Sequence, residues 1–197
     1  MSNIALIIAG GSGNRMHQDI PKQFLTVNER PVIVYTLEAF EKHPSIDSIA
    51  VACLEGSCGP DDIVLIHDAI RPMISPEIIS DSIRVTKKYG NATAVIPCAE
   101  AMMQTEDGLA STGSYPRDKL KRTQTPQTFF IKDICSLHRR ALEAGITNSV
   151  ASCTLMIEMG EKVYFSAGSE KNIKLTTVED IDIFKALLST ERSSWLK

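Results

Sequence analysis

Apolar and polar positions alternate along the chain in blocks that predict strands and helices in turn. Continuous apolar runs are typical of buried strands, and they occur at residues 3–9, 46–53, 63–69 and 92–97. Apolar residues at helical spacing predict helices at residues 31–40, 76–89, 133–144, 150–159 and 178–188. A short helical turn at 14–19 and strands at 163–166 and 173–175 complete the prediction. This alternation indicates an α/β fold with a mostly parallel sheet flanked by helices.

One polar stretch, residues 99–121, interrupts the alternation. It contains turn signals at Asp107-Gly108 and at Thr112-Gly113-Ser114. We therefore expect a hairpin that projects from the sheet as a β-arm.

The connection between two of the predicted strands is unusually short. Residues 54–62 alone separate the strand that ends at Cys53 from the strand that starts near Ile63. Parallel neighbours need a crossover of about a dozen residues or more. Either the two strands are antiparallel, or the sequence lacks a segment here, and a continuous ordered chain through 54–62 would exclude the second explanation.

Composition fits one domain spanning residues 1–197, with the arm at about 99–121. Hydrophobic residues make up 43% of the chain and the net charge is −3, so no overall field favours nucleic acid or an anionic membrane. No apolar run approaches the roughly 20 residues that span a bilayer, and no signal-peptide pattern is present. The five cysteines are odd in number and widely spaced, which favours reduced thiols in the cytoplasm over disulfides or a zinc site.

A glycine-rich segment follows the first predicted strand. Residues 9–16 read Ala-Gly-Gly-Ser-Gly-Asn-Arg-Met, and Lys22 follows within Pro-Lys-Gln-Phe-Leu. Glycines let backbone N–H groups converge on an anion, and Arg15 and Lys22 suit a polyphosphate. Met16 replaces the third glycine of a dinucleotide-binding fingerprint, and Lys22 lacks the Gly-Lys-Ser/Thr context of a Walker loop. A tight strand-to-helix turn without a ligand remains an alternative.

Three later motifs carry further candidate chemistry. His-Asp-Ala-Ile-Arg-Pro at residues 67–72 ends a strand, where Asp68 can bind Mg²⁺ or a substrate hydroxyl, or simply pair with Arg71. His67 reads as structural. Residues 116–127 form the most basic run, interpreted either as a site or as a solvated arm. Asn-Ile-Lys-Leu-Thr at 172–176 places Lys174 either against a phosphate or at a strand edge with its ammonium in water.

Together these motifs resemble those of the cytidylyltransferases that act on methylerythritol phosphate and their relatives that act on ribitol phosphate. The matching elements are Ala-Gly-Gly-x-Gly-x-Arg-Met, Pro-Lys-Gln-Phe-Leu, His-Asp-Ala-x-Arg-Pro, Gln-Thr-Pro-Gln-Thr-Phe and Asn-Ile-Lys-x-Thr. They occur in the family's order and span residues 4–188.

The resemblance implies a Rossmann-like nucleotidyltransferase fold and transfer of CMP from CTP to a polyol phosphate, giving a CDP-polyol and pyrophosphate. It also implies a divalent cation, usually Mg²⁺, and a homodimer that serves isoprenoid, teichoic acid or capsule biosynthesis. The nucleotide-binding residues it implies are Ala9, Gly10, Gly11, Ser12 and Gly13.

The same resemblance assigns roles to six further residues. Arg15 and Lys22 would neutralise the triphosphate, and Lys174 would bind the incoming phosphate. Asp68 would face the substrate and the metal, with Thr125 at the wall of the site. Arg117 would reach the partner subunit's acceptor site from the arm.

The sequence also departs from the family pattern. Glu100-Ala101 stands where an Asp-Thr pair usually opens the arm, and residues 148–150 read Asn-Ser-Val where Thr-Asp is usual. Between Cys53 and Ile63 the family carries a much longer segment, with a Gly-Gly…Arg…Ser stretch that helps to bind cytidine. If its loss is a true deletion, the alternative is a nucleotide-binding protein that keeps the fold without catalysis. The acceptor stays open between the two polyol phosphates, with a slight lean toward ribitol phosphate. Glu100-Ala101 matches neither subfamily and permits a third polyol phosphate.

Overall fold

A computed structural model of the protein describes residues 2–8, 22–50 and 59–191, apart from the side chains of Lys22 and Glu191. The strands are β1 (Asn3–Ile8), β2 (Thr26–Val27), β3 (Arg30–Pro31), β4 (Ser48–Ala50), β5 (Ile63–Asp68), β6 (Asn91–Pro97), β7 (Met102–Gln104), β8 (Gly113–Tyr115), β9 (Lys121–Phe130) and β10 (Phe165–Ala167). The α-helices are α1 (Val32–Glu41), α2 (Pro76–Tyr89), α3 (Ile131–Glu143), α4 (Ser152–Glu158) and α5 (Val178–Glu191). Short 3₁₀ turns lie at Lys22–Phe24 and Arg117–Lys119.

Six strands form the central sheet in the order β10-β6-β9-β5-β1-β4. All of these run parallel except β9, which is antiparallel to both of its neighbours. The predicted α/β fold with a mostly parallel sheet is therefore confirmed. The helical turn predicted at 14–19 lies outside the described residues, as does part of the strand predicted at 46–53.

Helices cover both faces of this sheet. On one face, Ile7 and Leu65 pack with Phe40 of α1 and Ile79 of α2. On the other face, Val64 and Phe129 pack against α3 and α4. A third cluster joins α5 to the β2–β3 hairpin and to the loop after β5, and it holds that loop in place.

Strands β4 and β5 both run parallel to β1 and lie on opposite sides of it. Ile4 pairs with Ser48 on one side and with Val64 on the other. The antiparallel explanation for the short connection is therefore wrong. Residues 51–58, which carry most of that connection, lie outside the described residues.

The sequence prediction missed β9, the longest strand of the sheet. Its polar residues, from Lys121 to Thr128, gave no apolar alternation, and a proline normally argues against a central strand. Pro126 is tolerated because the ladder to β6 shifts register between Thr93 and Val95, beside the proline.

The strand predicted at 173–175 is wrong. Those residues join no sheet, and the N–H of Leu175 donates instead to the carbonyl of Ile70 at 2.9 Å. This hydrogen bond holds the segment against the loop after β5, at the carboxyl end of that strand.

The predicted arm is present as the β7–β8 hairpin, in which Met102 pairs with Tyr115 and Gln104 with Gly113. Every residue from 99 to 119 is exposed. Within residues 2–8, 22–50 and 59–191, no helix combines the length and apolar character needed to cross a membrane.

Candidate active site

The candidate site lies at the carboxyl ends of β1 and β5. Ile8, the last residue of β1, pairs with Asp68, the last residue of β5. The N–H of Ala69 donates to the carbonyl of Ile8 at 3.0 Å. Strand β1 therefore ends directly beside Asp68, at the end of the sheet where open α/β sheets bind ligands.

Several predicted nucleotide-binding residues cannot be placed in this geometry. Ala9, Gly10, Gly11, Ser12, Gly13 and Arg15 lie outside the described residues. Lys22 opens a 3₁₀ turn, but its side chain is not described.

Asp68 is held by two cations. Its Oδ2 lies 3.1 Å from Nζ of Lys174 and 3.1 Å from Nε of Arg71. Burial raises the pKa of Asp68, but Lys174 and then Arg71 outweigh that effect, so its pKa lies below the ordinary value. The site thus presents a fixed carboxylate with a partly exposed ammonium beside it.

The placement of Lys174 depends on its neighbours in the chain. Leu175 is fully buried in the cluster with Val32 and Phe184, and its N–H is bonded to Ile70. Nη1 of Arg71 donates to the carbonyl of Asn172 at 2.7 Å. Because both flanks of Lys174 are anchored to the loop after β5, its ammonium is directed to Asp68.

Thr125 lies behind Asp68 on β9. Its hydroxyl oxygen accepts the N–H of Asp68 at 3.1 Å, and the hydroxyl donates to Nδ1 of His67 at 3.0 Å. Nε2 of His67 in turn donates to the carbonyl of Arg71 at 3.1 Å. Burial lowers the pKa of His67 to about 4, so the ring is neutral and connects β5 with β9. The structural interpretation of His67 fits these contacts.

Arg117 lies apart from this group. It belongs to the 3₁₀ turn that follows the β7–β8 hairpin within the arm, and its Nη1 donates to the carbonyl of Ala99 at 2.9 Å. Among the described residues, it makes no hydrogen bond or ion pair to Asp68 or Lys174. The structure therefore brings together Asp68, Thr125 and Lys174 but not Arg117.

Two buried amides that the sequence analysis did not single out tie the site together. Nδ2 of Asn172 donates to the carbonyl of Thr125 at 2.9 Å, and Nε2 of Gln124 donates to the carbonyl of Ser169 at 2.9 Å. Both residues fall within motifs already noted. Their positions next to Thr125 and close to Lys174 in the sequence were the signal that could have identified them.

The described residues can hold a magnesium ion only through one carboxylate shared with substrate phosphates. Within the described part of the chain, no group of three or more His, Cys, Asp or Glu residues could hold a metal ion. Mg²⁺ often binds through one or two carboxylates together with substrate phosphates. Asp68 fits that mode, because its Oδ1 makes no hydrogen bond to a described residue.

The chain is similar to known cytidylyltransferases along most of its length. The model of the 2-C-methyl-D-erythritol 4-phosphate cytidylyltransferase family (IspD) matches residues 3–59 and 51–190. A ribitol-5-phosphate cytidylyltransferase from Lacticaseibacillus paracasei is 35% identical, with 93% of this chain and 97% of that protein covered. A 2-C-methyl-D-erythritol 4-phosphate cytidylyltransferase from Clostridium botulinum is 32% identical, covering 94% and 97%.

A solved structure shows the same fold. The 4-diphosphocytidyl-2C-methyl-D-erythritol synthase from Anaerococcus prevotii superposes with a TM-score of 0.77 at 24% identity, covering 95% of this chain and 98% of that one.

The relatives carry residues that this chain lacks. The alignment with the Lacticaseibacillus paracasei protein runs over 226 positions, whereas 93% of this 197-residue chain is about 183 residues, so about 43 positions have no counterpart here. The family match divides where residues 51–59 lie, between β4 and β5. With the site's motifs in order on both sides of that division, the chain belongs to the 2-C-methyl-D-erythritol 4-phosphate cytidylyltransferase family.

Proposed function

We propose that this protein transfers CMP from CTP to a polyol phosphate and releases pyrophosphate, with ribitol 5-phosphate as the first candidate acceptor. The observation that carries the proposal is the Asp68–Lys174 pair, which lies beside the start of the glycine-rich segment. Relatives named for ribitol 5-phosphate are 35% and 34% identical, against 32% for one named for methylerythritol phosphate.

The chemistry requires positioning and charge neutralisation. An oxygen of the acceptor phosphate attacks the α-phosphorus of CTP, a new P–O bond forms, and the bond to the pyrophosphate oxygen breaks. The acceptor is already an anion, so the step needs no strong general base. Catalysis of this kind depends on fixed positive charge around the phosphates.

In this proposal Lys174 holds the acceptor phosphate near the reacting centre. Its ammonium is partly exposed and anchored by Asp68, so it is directed before substrate arrives. Arg15 and Lys22 are assigned to the triphosphate, with Ala9, Gly10, Gly11, Ser12 and Gly13 around it. Their backbone N–H groups would add to the positive field.

A bound Mg²⁺ would supply further neutralisation of phosphate charge. Asp68 would hold that ion together with phosphate oxygens, through the Oδ1 that Lys174 and Arg71 leave unpaired. Thr125 fixes the backbone of Asp68 from behind, so the carboxylate keeps its direction.

The arm is proposed to form a homodimer that carries Arg117 to the partner's acceptor site. Its hairpin is exposed along its length, and Met103 and Tyr115 present apolar surface there. The proposal also places the protein in the cytoplasm, in accord with cysteines read as reduced thiols.

Pyrophosphate release with CTP and a panel of acceptors tests the function. Ribitol 5-phosphate, methylerythritol 4-phosphate and glycerol 3-phosphate are compared at equal concentration, with and without Mg²⁺. We expect turnover with ribitol 5-phosphate to exceed the others and to require the ion. CTP binding without pyrophosphate release from any acceptor would overturn the proposal in favour of a non-catalytic nucleotide-binding protein.

A further inference from the structure

The segment that carries Lys174 reaches the candidate site from the outer strand of the sheet. Strand β10 ends at Ala167 beside β6, and the N–H of Gly168 still donates to the carbonyl of Val95 on β6 at 3.0 Å. After Gly168 the segment passes β6 and β9 without joining the sheet. Its backbone groups therefore need other partners before the chain arrives at Lys174.

One side chain of β9 supplies two of these partners. Nε2 of Gln124 donates to the carbonyl of Ser169 at 2.9 Å, and Oε1 of Gln124 accepts the N–H of Ser169 at 3.2 Å. The carboxamide thus bonds both polar backbone groups of one residue, as a neighbouring strand would. Gln124 is only 6% exposed, so these bonds form away from bulk water.

Gln124 also orients a second residue of the segment. Nδ2 of Asn172 donates to Oε1 of Gln124 at 3.3 Å and to the carbonyl of Thr125 at 2.9 Å. Oδ1 of Asn172 is buried and has no hydrogen-bond partner among the described residues. If this amide were reversed, its oxygen would face two acceptors. The two acceptors on β9 therefore determine which way the Asn172 side chain lies.

These contacts fix the chain on the amino side of Lys174. On its other side, Leu175 is fully buried and donates its N–H to the carbonyl of Ile70. The Lys174 side chain itself is 42% exposed, with its ammonium 3.1 Å from Oδ2 of Asp68. A long exposed side chain has many rotamers, so it keeps one direction only where its backbone is held on both sides.

We infer that Gln124 is a positioning residue for Lys174. By holding residues 169–172 on β9, it sets the place from which the ammonium meets the acceptor phosphate. The inference rests on the proposed function, in which Lys174 binds that phosphate. Gln124 shares no hydrogen bond with Lys174 or with Asp68, so its effect passes through the backbone of the segment. It acts on the acceptor and leaves the binding of CTP to other residues.

A second buried glutamine on the same strand provides a matched control. Gln127 is 5% exposed, and its Oε1 accepts the N–H of Cys153 in the first turn of α4 at 3.0 Å. Methionine has a similar size and flexibility but lacks the strong donor and acceptor of the amide. Gln124→Met and Gln127→Met each remove the partner of one backbone N–H, so both should lower the thermal melting temperature similarly. Only Gln124→Met should affect Lys174.

Steady-state kinetics test this difference with the best acceptor of the panel. Gln124→Met should lower kcat/KM for that acceptor about ten- to a hundredfold, because a misplacement of about 1 Å can cost a hundredfold. The KM for CTP should stay within about twofold, since the acceptor alone loses its positioned ammonium. Gln127→Met should leave both values near normal. Added to Lys174→Ala, Gln124→Met should cost less than about twofold more, because no ammonium remains to be positioned.

Amide hydrogen exchange without substrates tests the inference independently of catalysis. The reporter is the N–H of Leu175, which lies next to Lys174 and shares no hydrogen bond with Gln124. Gln124→Met should speed its exchange about tenfold, because loss of the anchor at Ser169 frees the segment to open. Gln127→Met should leave exchange at Leu175 unchanged.

Three results would overturn the inference. Faster exchange at Ser169 with no change at Leu175 would confine the effect of Gln124 to its direct partner. An equal loss of acceptor kcat/KM in Gln127→Met would assign the loss to lower stability. A further large loss when Gln124→Met is added to Lys174→Ala would show that Gln124 acts elsewhere. If the unmodified chain turns over no acceptor, the proposed function fails, and exchange at Leu175 still decides whether Gln124 holds the segment.

Discussion

The ammonium of Lys174 lies 3.1 Å from Oδ2 of Asp68, although the two residues stand more than a hundred positions apart in the sequence. Asp68 ends a buried strand, whereas Lys174 belongs to a segment that joins no sheet. Their contact depends on Leu175. Its buried side chain and its backbone hydrogen bond to Ile70 fix the segment against the loop after β5.

Replacement of Lys174 by alanine should lower turnover without unfolding the protein. The side chain is 42% exposed, so little packing is lost, but a fixed positive charge at the phosphates is removed. We expect pyrophosphate release to fall by about 10²–10³-fold, with the thermal melt nearly unchanged. Lys185→Ala is the matched control, because Lys185 also pairs with a nearby aspartate, Asp182, and both side chains are exposed on α5. Near-normal turnover of Lys174→Ala would contradict its role.

Helices such as α2 could be predicted because their apolar residues recur at helical spacing. Helix α2 runs from Pro76 to Tyr89 as expected, with Ser75 accepting the N–H of Ile78 at its start and Gly90 in the left-handed conformation at its end. The apolar spacing alone predicted these boundaries, and the contacts at both ends are typical of helix termini.

Strand β9 could not be predicted because three of its buried positions, Gln124, Gln127 and Thr128, are polar. Thr128 is fully buried and shares a hydrogen bond of 2.6 Å with the hydroxyl of Ser82. Oε1 of Gln127 accepts a hydrogen bond from the N–H of Cys153. Such side chains are stabilised by partners distant in sequence, so no local pattern of hydrophobicity reveals them. The same holds for the site, where motifs identified Asp68 and Lys174 but only the docked segment brought them together.

Stability should depend on pH through His67. Its folded pKa is about 4, mainly because of burial, whereas an unfolded histidine titrates near 6.5. Between these values the unfolded chain binds a proton that the folded protein does not, so the free energy of unfolding falls as the pH drops. The slope should approach about 1.4 kcal/mol per pH unit, with a total on the order of 3 kcal/mol.

Urea unfolding from pH 7 to about pH 5 measures this slope. In that range Asp68, whose folded pKa is lowered, is charged in both the folded and the unfolded chain, so it adds little to the slope. His67→Gln should flatten the dependence, and His138→Gln, at an exposed position on α3, should leave it unchanged. An identical slope in His67→Gln and in the unmodified protein would exclude His67 as its source.

Gly168 should tolerate no side chain. A Cβ there would lie 2.6 Å from Oε1 of Gln124 and 2.8 Å from the carbonyl oxygen of Val95, and the backbone atom cannot move aside without disturbing β6. Gly168→Ala should therefore lower the free energy of unfolding by about 1–3 kcal/mol, measured in urea. Because Gln124 also bonds Ser169, turnover should fall as well. Gly113→Ala is the control, since its nearest contact would be an ordinary 3.9 Å. Equal stability of the two variants would show that the loop relaxes freely.

Arg117 and Lys174 should act in the same site from different subunits. Within one chain Arg117 bonds the carbonyl of Ala99 at the base of the arm and does not contact Lys174. We therefore expect Arg117→Ala and Lys174→Ala each to be nearly inactive alone, and their equimolar mixture to regain activity. In a mixed dimer, one site combines an intact Lys174 from one subunit with an intact Arg117 from the other. Half of the dimers in a random mixture are mixed, and each mixed dimer holds one intact site of two. Activity should therefore recover to about a quarter of normal, because separated defects in a shared site complement each other.

Pyrophosphate release after the subunits exchange provides the measurement, and a mixture of two preparations of Lys174→Ala serves as the control. If Arg117 acts within its own subunit, every site in every dimer carries at least one defect and no activity returns.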